Sequence, residues 1–307
     1  MTALNTPIRP VIETAPEDPK SPKGPRTRRS RAKGVERPGF LTYGLLIAFF
    51  AGSAFPLWWS FVIGSRQSSD INNLPIALIP GPNFFSNVEK VFATVPFWKA
   101  LLNSIIISGT IAASVVFFST LAGYAFAKLK FRGRNILLLF VIATMAIPAQ
   151  LGIIPLFMLM AKYGWTGTLG AVIIPGLVTG FGVFFMRQYL IDSIPDELIE
   201  AARMDGATVW GTFWNVAWPA ARPAAAVLGL FTFMAAWTDF LWPLLVLGPN
   251  NPNVQTALSS LAASGGHAPD FSVILTGAFL SVIPLLILFF IAGKQLVAGI
   301  MAGAVKG

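Results

Sequence analysis

Residues 101–127 read LLNSIIISGTIAASVVFFSTLAGYAFA, 27 positions from Leu101 to Ala127 without one charged side chain. At 1.5 Å per helical residue, about 20 apolar residues cross the roughly 30 Å hydrocarbon layer of a bilayer, so this run is long enough to span it. Comparable runs lie near Phe40–Gly64, Asn135–Met160, Thr168–Leu190, Pro223–Leu247 and Ser272–Ala292. Composition agrees, with 55% of the 307 residues hydrophobic and only 11% charged, against about 25% charged in soluble domains. The expected fold is an all-α membrane protein with six transmembrane helices. With no cysteine and one histidine, His267, a disulfide framework, a thiolate nucleophile and a Cys/His metal cluster are excluded, and no metal site is expected.

The net charge of +9 acquires meaning from its placement. Of the 22 Lys and Arg residues, nine precede the first run, four lie in Lys128–Arg134, three between Arg187 and Arg222, and two follow the last run. The alternate side holds only Arg66, Lys90, Lys99 and Lys162. Lys and Arg accumulate in cytoplasmic loops, so both termini and the loops at 128–134 and 187–222 are expected in the cytoplasm. Met1–Gly39 is rich in Pro, Lys, Arg and Ser and lacks apolar periodicity; it cannot bury enough surface to offset the entropy of ordering and reads as a disordered cytoplasmic tail. Without interleaved aromatics it offers no nucleic-acid module. Basic residues before Phe40 and the small residues Ala51–Ala54 imitate a secretion signal, yet apolar character continues through Trp58, Trp59 and Ile63, so an uncleaved span is expected. Residues 40–307 then form one membrane domain.

The runs contain Pro148, Pro155, Pro175, Pro243 and Pro284. Proline frees backbone groups that neighbouring helices or water must satisfy, which suits a packed bundle lining a pathway, although proline is also simply common in membrane helices. No GxxxxGK[ST], GxSxG or HExxH pattern occurs, so the chain has no phosphate-cradling loop and no catalytic residue can be nominated.

The informative polar stretch is 193–223, which begins SIPDELIEAARMDGA. Ser193 and Asp196 form a Ser-x-x-Asp cap pattern, Pro195 suits a first turn, and Asp196, Glu197 and Glu200 complement a helix dipole. Leu198, Ala201 and Ala202 share a face, and Gly206 suits a left-handed stop. A second segment carries Trp210, Phe213, Trp214 and Trp218, with Pro219 and Pro223 expected to close it before the fifth span. Such a loop either lies on lipid or docks in a groove of another protein; from Arg187 to Arg222, five acids against three basic residues suit anionic lipid poorly.

Glu200-Ala201-Ala202, three residues, Gly206, nine residues, then Val216-x-Trp218-Pro219 resembles the EAA loop of binding-protein-dependent ABC importer permeases, with Val and Trp at the usual Ile and Leu positions. Glu200–Ala207 resembles the carbohydrate branch, as do Trp237-Thr238-Asp239-Phe240, Trp242-Pro243 and the final Gly303-Ala304-Val305-Lys306-Gly307 of maltose-type permeases. The likeness spans residues 40–307. It implies a type I ABC importer permease fold and a non-catalytic sugar-import subunit in the plasma membrane of a bacterium or archaeon. The implied partners are a second homologous permease, an ATPase dimer carrying ATP and magnesium, and an extracytoplasmic sugar-binding protein; this chain would bind no cofactor itself. The residues implied to couple to the ATPase are Glu200, Ala201, Ala202, Asp205, Gly206, Ala207, Phe213 and Pro219. Trp237, Asp239 and Trp242 are pathway candidates for a disaccharide or oligosaccharide. Asp239, the one acid well inside a span, either accepts hydrogen bonds from sugar or braces the two tryptophans. The outer segment Gly248–Phe271 either reaches the binding protein or is a flexible re-entry loop. An ion-gradient-driven secondary transporter or channel is the alternative from another class.

Overall fold

The computed structural model describes residues 39–72, 77–266 and 269–304. The basic tail up to residue 38, His267 and the last three residues lie outside them. Among the described residues there is no strand. Helix α1 (Phe40–Gly64) has the bounds of the first apolar run, and α2 (Phe84–Thr94) leads into α3 (Phe97–Lys128), which contains Leu101–Ala127. There follow α4 (Arg134–Met145), α5 (Ile153–Lys162), α6 (Gly170–Gly176), α7 (Gly180–Ser193), α8 (Asp196–Met204) and α9 (Val209–Thr212). The described chain ends with α10 (Trp218–Thr238), α11 (Leu241–Val246), α12 (Val254–Ser264) and α13 (Phe271–Ala304). Five helical stretches are long and apolar enough to cross a membrane, and six if the bent pair of α4 with Ala149–Lys162 counts as one span.

That bent pair is the third apolar run, which contains Pro148 and Pro155. Its halves meet at 89° because Pro148 has no N–H to donate and forces Ile147 out of helical geometry; Pro155, in the first turn of α5, is tolerated. The other breaks are repaired by side chains from neighbours. The fourth span opens between α6 and α7, where Ser114 Oγ donates to Leu177 O at 2.9 Å and Thr179 Oγ1 accepts from Gly182 N at 3.1 Å. Pro243 withdraws the donor that Asp239 O would receive in a continuous helix, and Asn253 Nδ2 supplies one at 3.1 Å. Pro284 lies inside the continuous α13, and next to the Leu280 carbonyl that it leaves without a helical donor the Trp237 indole donates to Ser281 O at 3.2 Å. Each repair meets the requirement that backbone groups inside hydrocarbon find partners within the protein.

By internal contacts the chain divides into Met1–Ala51 and Gly52–Gly307. The described part of the first unit is the start of α1, where Leu45, Ile47 and Phe49 are exposed. The second unit holds the packed core. Ile107, Val115 and Tyr124 of α3 meet Met186 and Leu190 of α7 and Ala221 and Leu228 of α10. A second cluster joins Phe97 and Ala100 to Trp237, Val254, Leu261 and Val273. Apolar side chains on α4, α5 and α13, among them Phe140, Ile154 and Phe290, point outward, as lipid contact requires.

Lipid tails are as apolar as leucine, so helix association here depends on close packing rather than on escape from water. Gly123 makes that possible between α3 and α7, since a Cβ added there would lie 2.8 Å from Arg187 N and 2.9 Å from Met186 Cβ. Gly123→Val should therefore cost about 1–3 kcal/mol by overpacking and lower the melting temperature of the detergent-solubilised protein. Gly109→Ala, whose Cβ meets nothing within 4 Å, should melt like the wild type; equal melting of all three would refute the tight α3–α7 crossing.

Candidate functional site

The 193–223 loop is anchored by a residue outside it. Lys128, the last residue of α3, has a side chain only 5% exposed, and its ammonium lies 2.8 Å from Asp196 Oδ1, whose side chain is 80% exposed. The same ammonium reaches Ile191 O at 3.4 Å, so one cation ties the ends of α3 and α7 to the first residue of α8. By its hydrogen bond and charge, Lys128 holds the Asp196 carboxyl below the usual carboxylate range. The Ser193–Asp196 cap expected from the sequence does not form. Ser193 is instead the last residue of α7, and Pro195, at the cap position of α8, makes no side-chain cap bond.

Ile199, 4% exposed, seats α8 on the protein. The expected Leu198–Ala201–Ala202 face is divided by this seating. Ala202 is half-buried, whereas Leu198 and Ala201 are exposed together with Glu200, Asp205 and Met204, the last 88% exposed. The outward face thus mixes small, apolar and acidic side chains. α8 stops as expected at Gly206, with φ +80°. Gly206 N donates to Arg203 O at 3.0 Å and Ala207 N to Ala202 O at 2.9 Å, the paired bonds of a Schellman end. No atom lies within 4 Å of where a Gly206 Cβ would be, so a side chain there meets backbone strain and no clash.

Thr208 then caps the next helix, accepting from Gly211 N at 3.1 Å. Pro219 and Pro223 do not close this segment, contrary to the sequence expectation. α9 runs through a π-helical turn at Phe213–Ala217 directly into α10. Pro219 cannot donate to Asn215 O, and the ladder shifts so that Trp218 N donates to Phe213 O. Phe213 is buried against Tyr124 of α3 at 5.8 Å and against Trp210, Trp214 and Trp218. Of the eight residues implied for coupling, Glu200, Ala201, Asp205, Gly206 and Pro219 are exposed, Ala202 and Ala207 are half-buried, and Phe213 is internal. Sequence reasoning missed Lys128, Ile199 and Tyr124. Only Ile199 had a local clue, as a β-branched apolar residue within the acid-rich α8.

The pathway candidates lie elsewhere. Trp237 is eighteen residues beyond Pro219, about 27 Å along α10. It is buried, stacked on Phe233 at 5.7 Å, with its indole N–H spent on Ser281 O. The Trp242 indole donates to Ala171 O at 3.1 Å. Asp239 sits half-buried at the break before α11, its carboxylate by the backbone N–H groups of Trp242 and Phe240. The outer segment is not a plain flexible loop. α12 is capped by Asn253, which accepts from Thr256 N at 2.9 Å, and is fastened to α3 by Asn103 Nδ2 to Pro252 O at 2.8 Å and Val254 N to Ser104 Oγ at 2.9 Å. Among the described residues, no group of three or more His, Cys, Asp or Glu is placed to hold a metal ion.

Comparison with known proteins agrees with this geometry. The family described as binding-protein-dependent transport system inner membrane component matches residues 116–301. The chain is 35% identical over 272 residues to the arabinooligosaccharides transport system permease protein AraQ of Halalkalibacterium halodurans, covering 87% of this chain and 96% of that protein. It is 31% identical to the lactose transport system permease protein LacG of Rhizobium radiobacter, covering 88% and 97%. In fold it is similar to a chain of a bacterial ABC transporter involved in import of the acidic polysaccharide alginate, with TM-score 0.72, 24% identity, and coverage of 83% and 94%. The chain belongs to the binding-protein-dependent transport system inner membrane components, a family of multi-pass permease subunits rather than enzymes.

Proposed function

We propose that this chain forms half of the translocation pathway of an ATP-driven importer of disaccharides or oligosaccharides. It pairs with a second homologous permease, takes sugar from an extracytoplasmic binding protein, and works through an ATPase dimer that binds ATP and magnesium. Both termini and the 193–223 loop face the cytoplasm, in the plasma membrane of a bacterium or archaeon. The observation that carries the reading is α8: a short helix held to the membrane core by Lys128 and Ile199, with Leu198, Glu200, Ala201 and Asp205 turned outward. An exposed amphipathic helix with a small-residue patch suits a groove on a partner. The names of the relatives, for arabinooligosaccharides and lactose, support the substrate class.

When nucleotide binding closes the ATPase pair, a docked α8 moves with it. The Lys128 tether passes that movement to α3 and α7, and Phe213 passes it to α3 through Tyr124 and to α10 through Trp218. Packed helices respond to such a push by rigid-body or shear motion. Asp239 and Trp242, at the breaks of the far end, line the route in this reading; Trp237, packed and hydrogen-bonded, braces it.

In proteoliposomes holding the assembled transporter with binding protein outside, uptake should require internal ATP and be indifferent to protonophore. Proton-driven uptake by this chain alone would establish the ion-gradient alternative. Gly206→Val should place a β-branched residue at positive φ, at a cost of about 1–2 kcal/mol, and leave ATP hydrolysis running while uptake falls; normal uptake would refute the coupling role. Asp196→Asn tests the tether by pH. Because the folded state depresses the Asp196 pKa, its contribution is present above the ordinary carboxylate value and lost as pH falls through the depressed one. The melting-temperature gap between wild type and variant should be constant from about pH 5 to 8 and close only in stronger acid. A gap that instead tracked neutral pH would assign the effect to another group.

A further inference from the structure

Two concave surfaces are lined by consecutive residues, Leu129 in one and Lys130 in the other, where α3 passes into the loop before α4. One is an apolar groove of about 460 Å³ between α3 and α9, lined by Phe118, Ala122, Ala125, Leu129, Trp210 and Phe213. The other, about 380 Å³, is lined by Lys130, Phe131, Gly133, Arg134 and Asn135. The rings of Phe126 and Phe131, 5.9 Å apart, fold the loop onto the end of α3. Lys128 is committed to Asp196 and Ile191 O, but Lys130, Arg132 and Arg134 take part in none of the ion pairs among the described residues. Lys130 acts on Asp196 only through space, and Arg134 spends one N–H on Leu129 O at 3.3 Å. Lys130 and Arg134 therefore line the polar surface, and Arg132 lies between them in the same loop.

The dimensions select the occupant. From Phe118 to Leu129 is about 16 Å of helix, close to the depth of one leaflet's share of a roughly 30 Å hydrocarbon layer. Charge at the interface followed by one leaflet's depth of apolar groove is the pattern of a phosphate headgroup with its acyl chain. We propose that these two surfaces together bind one anionic phospholipid, its phosphate on Lys130, Arg132 and Arg134 and an acyl chain along the groove between α3 and α9. The site rests on the membrane placement of α3, and its assignment to the cytoplasmic leaflet rests on the orientation proposed above. Because Trp210 and Phe213 line the groove, a bound chain would also fill the space beside the coupling loop and stiffen it.

The test uses the full-length chain with its co-purifying subunits in mild detergent, counting retained lipid by mass spectrometry. Melting is followed with added phosphatidylglycerol, phosphatidylcholine or inorganic phosphate. About one anionic lipid per chain should remain, and phosphatidylglycerol alone should raise the melting temperature. Replacing Lys130, Arg132 and Arg134 by Gln should weaken retention roughly five-fold per charge, and Ala122→Phe, which fills the groove, should displace the lipid with the charges intact. Retained lipid of bulk composition in the wild type, or equal stabilisation by phosphatidylcholine or free phosphate, would overturn the proposal. So would a triple variant that loses the ATPase while keeping its lipid, since the loop would then be a protein contact. Should the variants not fold, the wild-type lipid titration decides. None of these readouts needs transport, so failure of the importer reading would be distinguishable from failure of this one.

Discussion

A single ammonium group joins the membrane core to the loop that leaves it. Lys128 is nearly fully covered, and its charge is answered by the Asp196 carboxylate and the Ile191 carbonyl. A covered cation without a counter-charge is strongly disfavoured, so α8 cannot drift from the end of α3 without exposing that cost. The asymmetry matters as well. The carboxylate is exposed while the ammonium is not, so the loop stays open to a partner on the side where Leu198, Ala201 and Met204 lie. A rigid root and an accessible face are the two properties a force-transmitting helix needs. α8 has both within nine residues.

The same economy of polar groups governs the spans. Ser114, Asn253 and the Trp237 indole each supply a hydrogen bond near a place where proline or a helix break loosens the backbone. The broken helices are thereby fixed at defined angles instead of being weak points. They also hold the tryptophans of the 237–242 stretch in place. Their indole donors already belong to the architecture, and Trp237 is fully packed.

What the sequence made legible were the features set by local chemistry. The bounds of α1 follow from its uninterrupted apolar run, and the left-handed stop at Gly206 follows from a residue without a Cβ after an acid-led helix. The bend at Pro148 was visible as a proline but not as an angle, because the angle depends on what the two halves pack against. The Lys128–Asp196 tether joins residues 68 positions apart and leaves no periodic trace. Nor could apolar content reveal the faces of α3, since a helix apolar all round carries no stripe; close approaches such as that at Gly123 show which side meets α7. The continuous helix through Phe213–Ala217 reversed the expectation from Pro219 because a π turn absorbs the missing donor.

The claim on which the account turns is that the outer face of α8 is seated on an ATPase. The chain has no cysteine, so Ala201→Cys gives a single reactive thiol on that face, and Tyr163→Cys gives an exposed control in the connection after α5. Cross-linking in native membranes with a short bifunctional thiol-to-amine reagent is then the direct measurement. The account predicts an Ala201→Cys adduct with the ATPase whose yield changes on adding ATP, and none from Tyr163→Cys. An Ala201→Cys thiol that reacts freely with water-soluble maleimide and never captures the ATPase would contradict it.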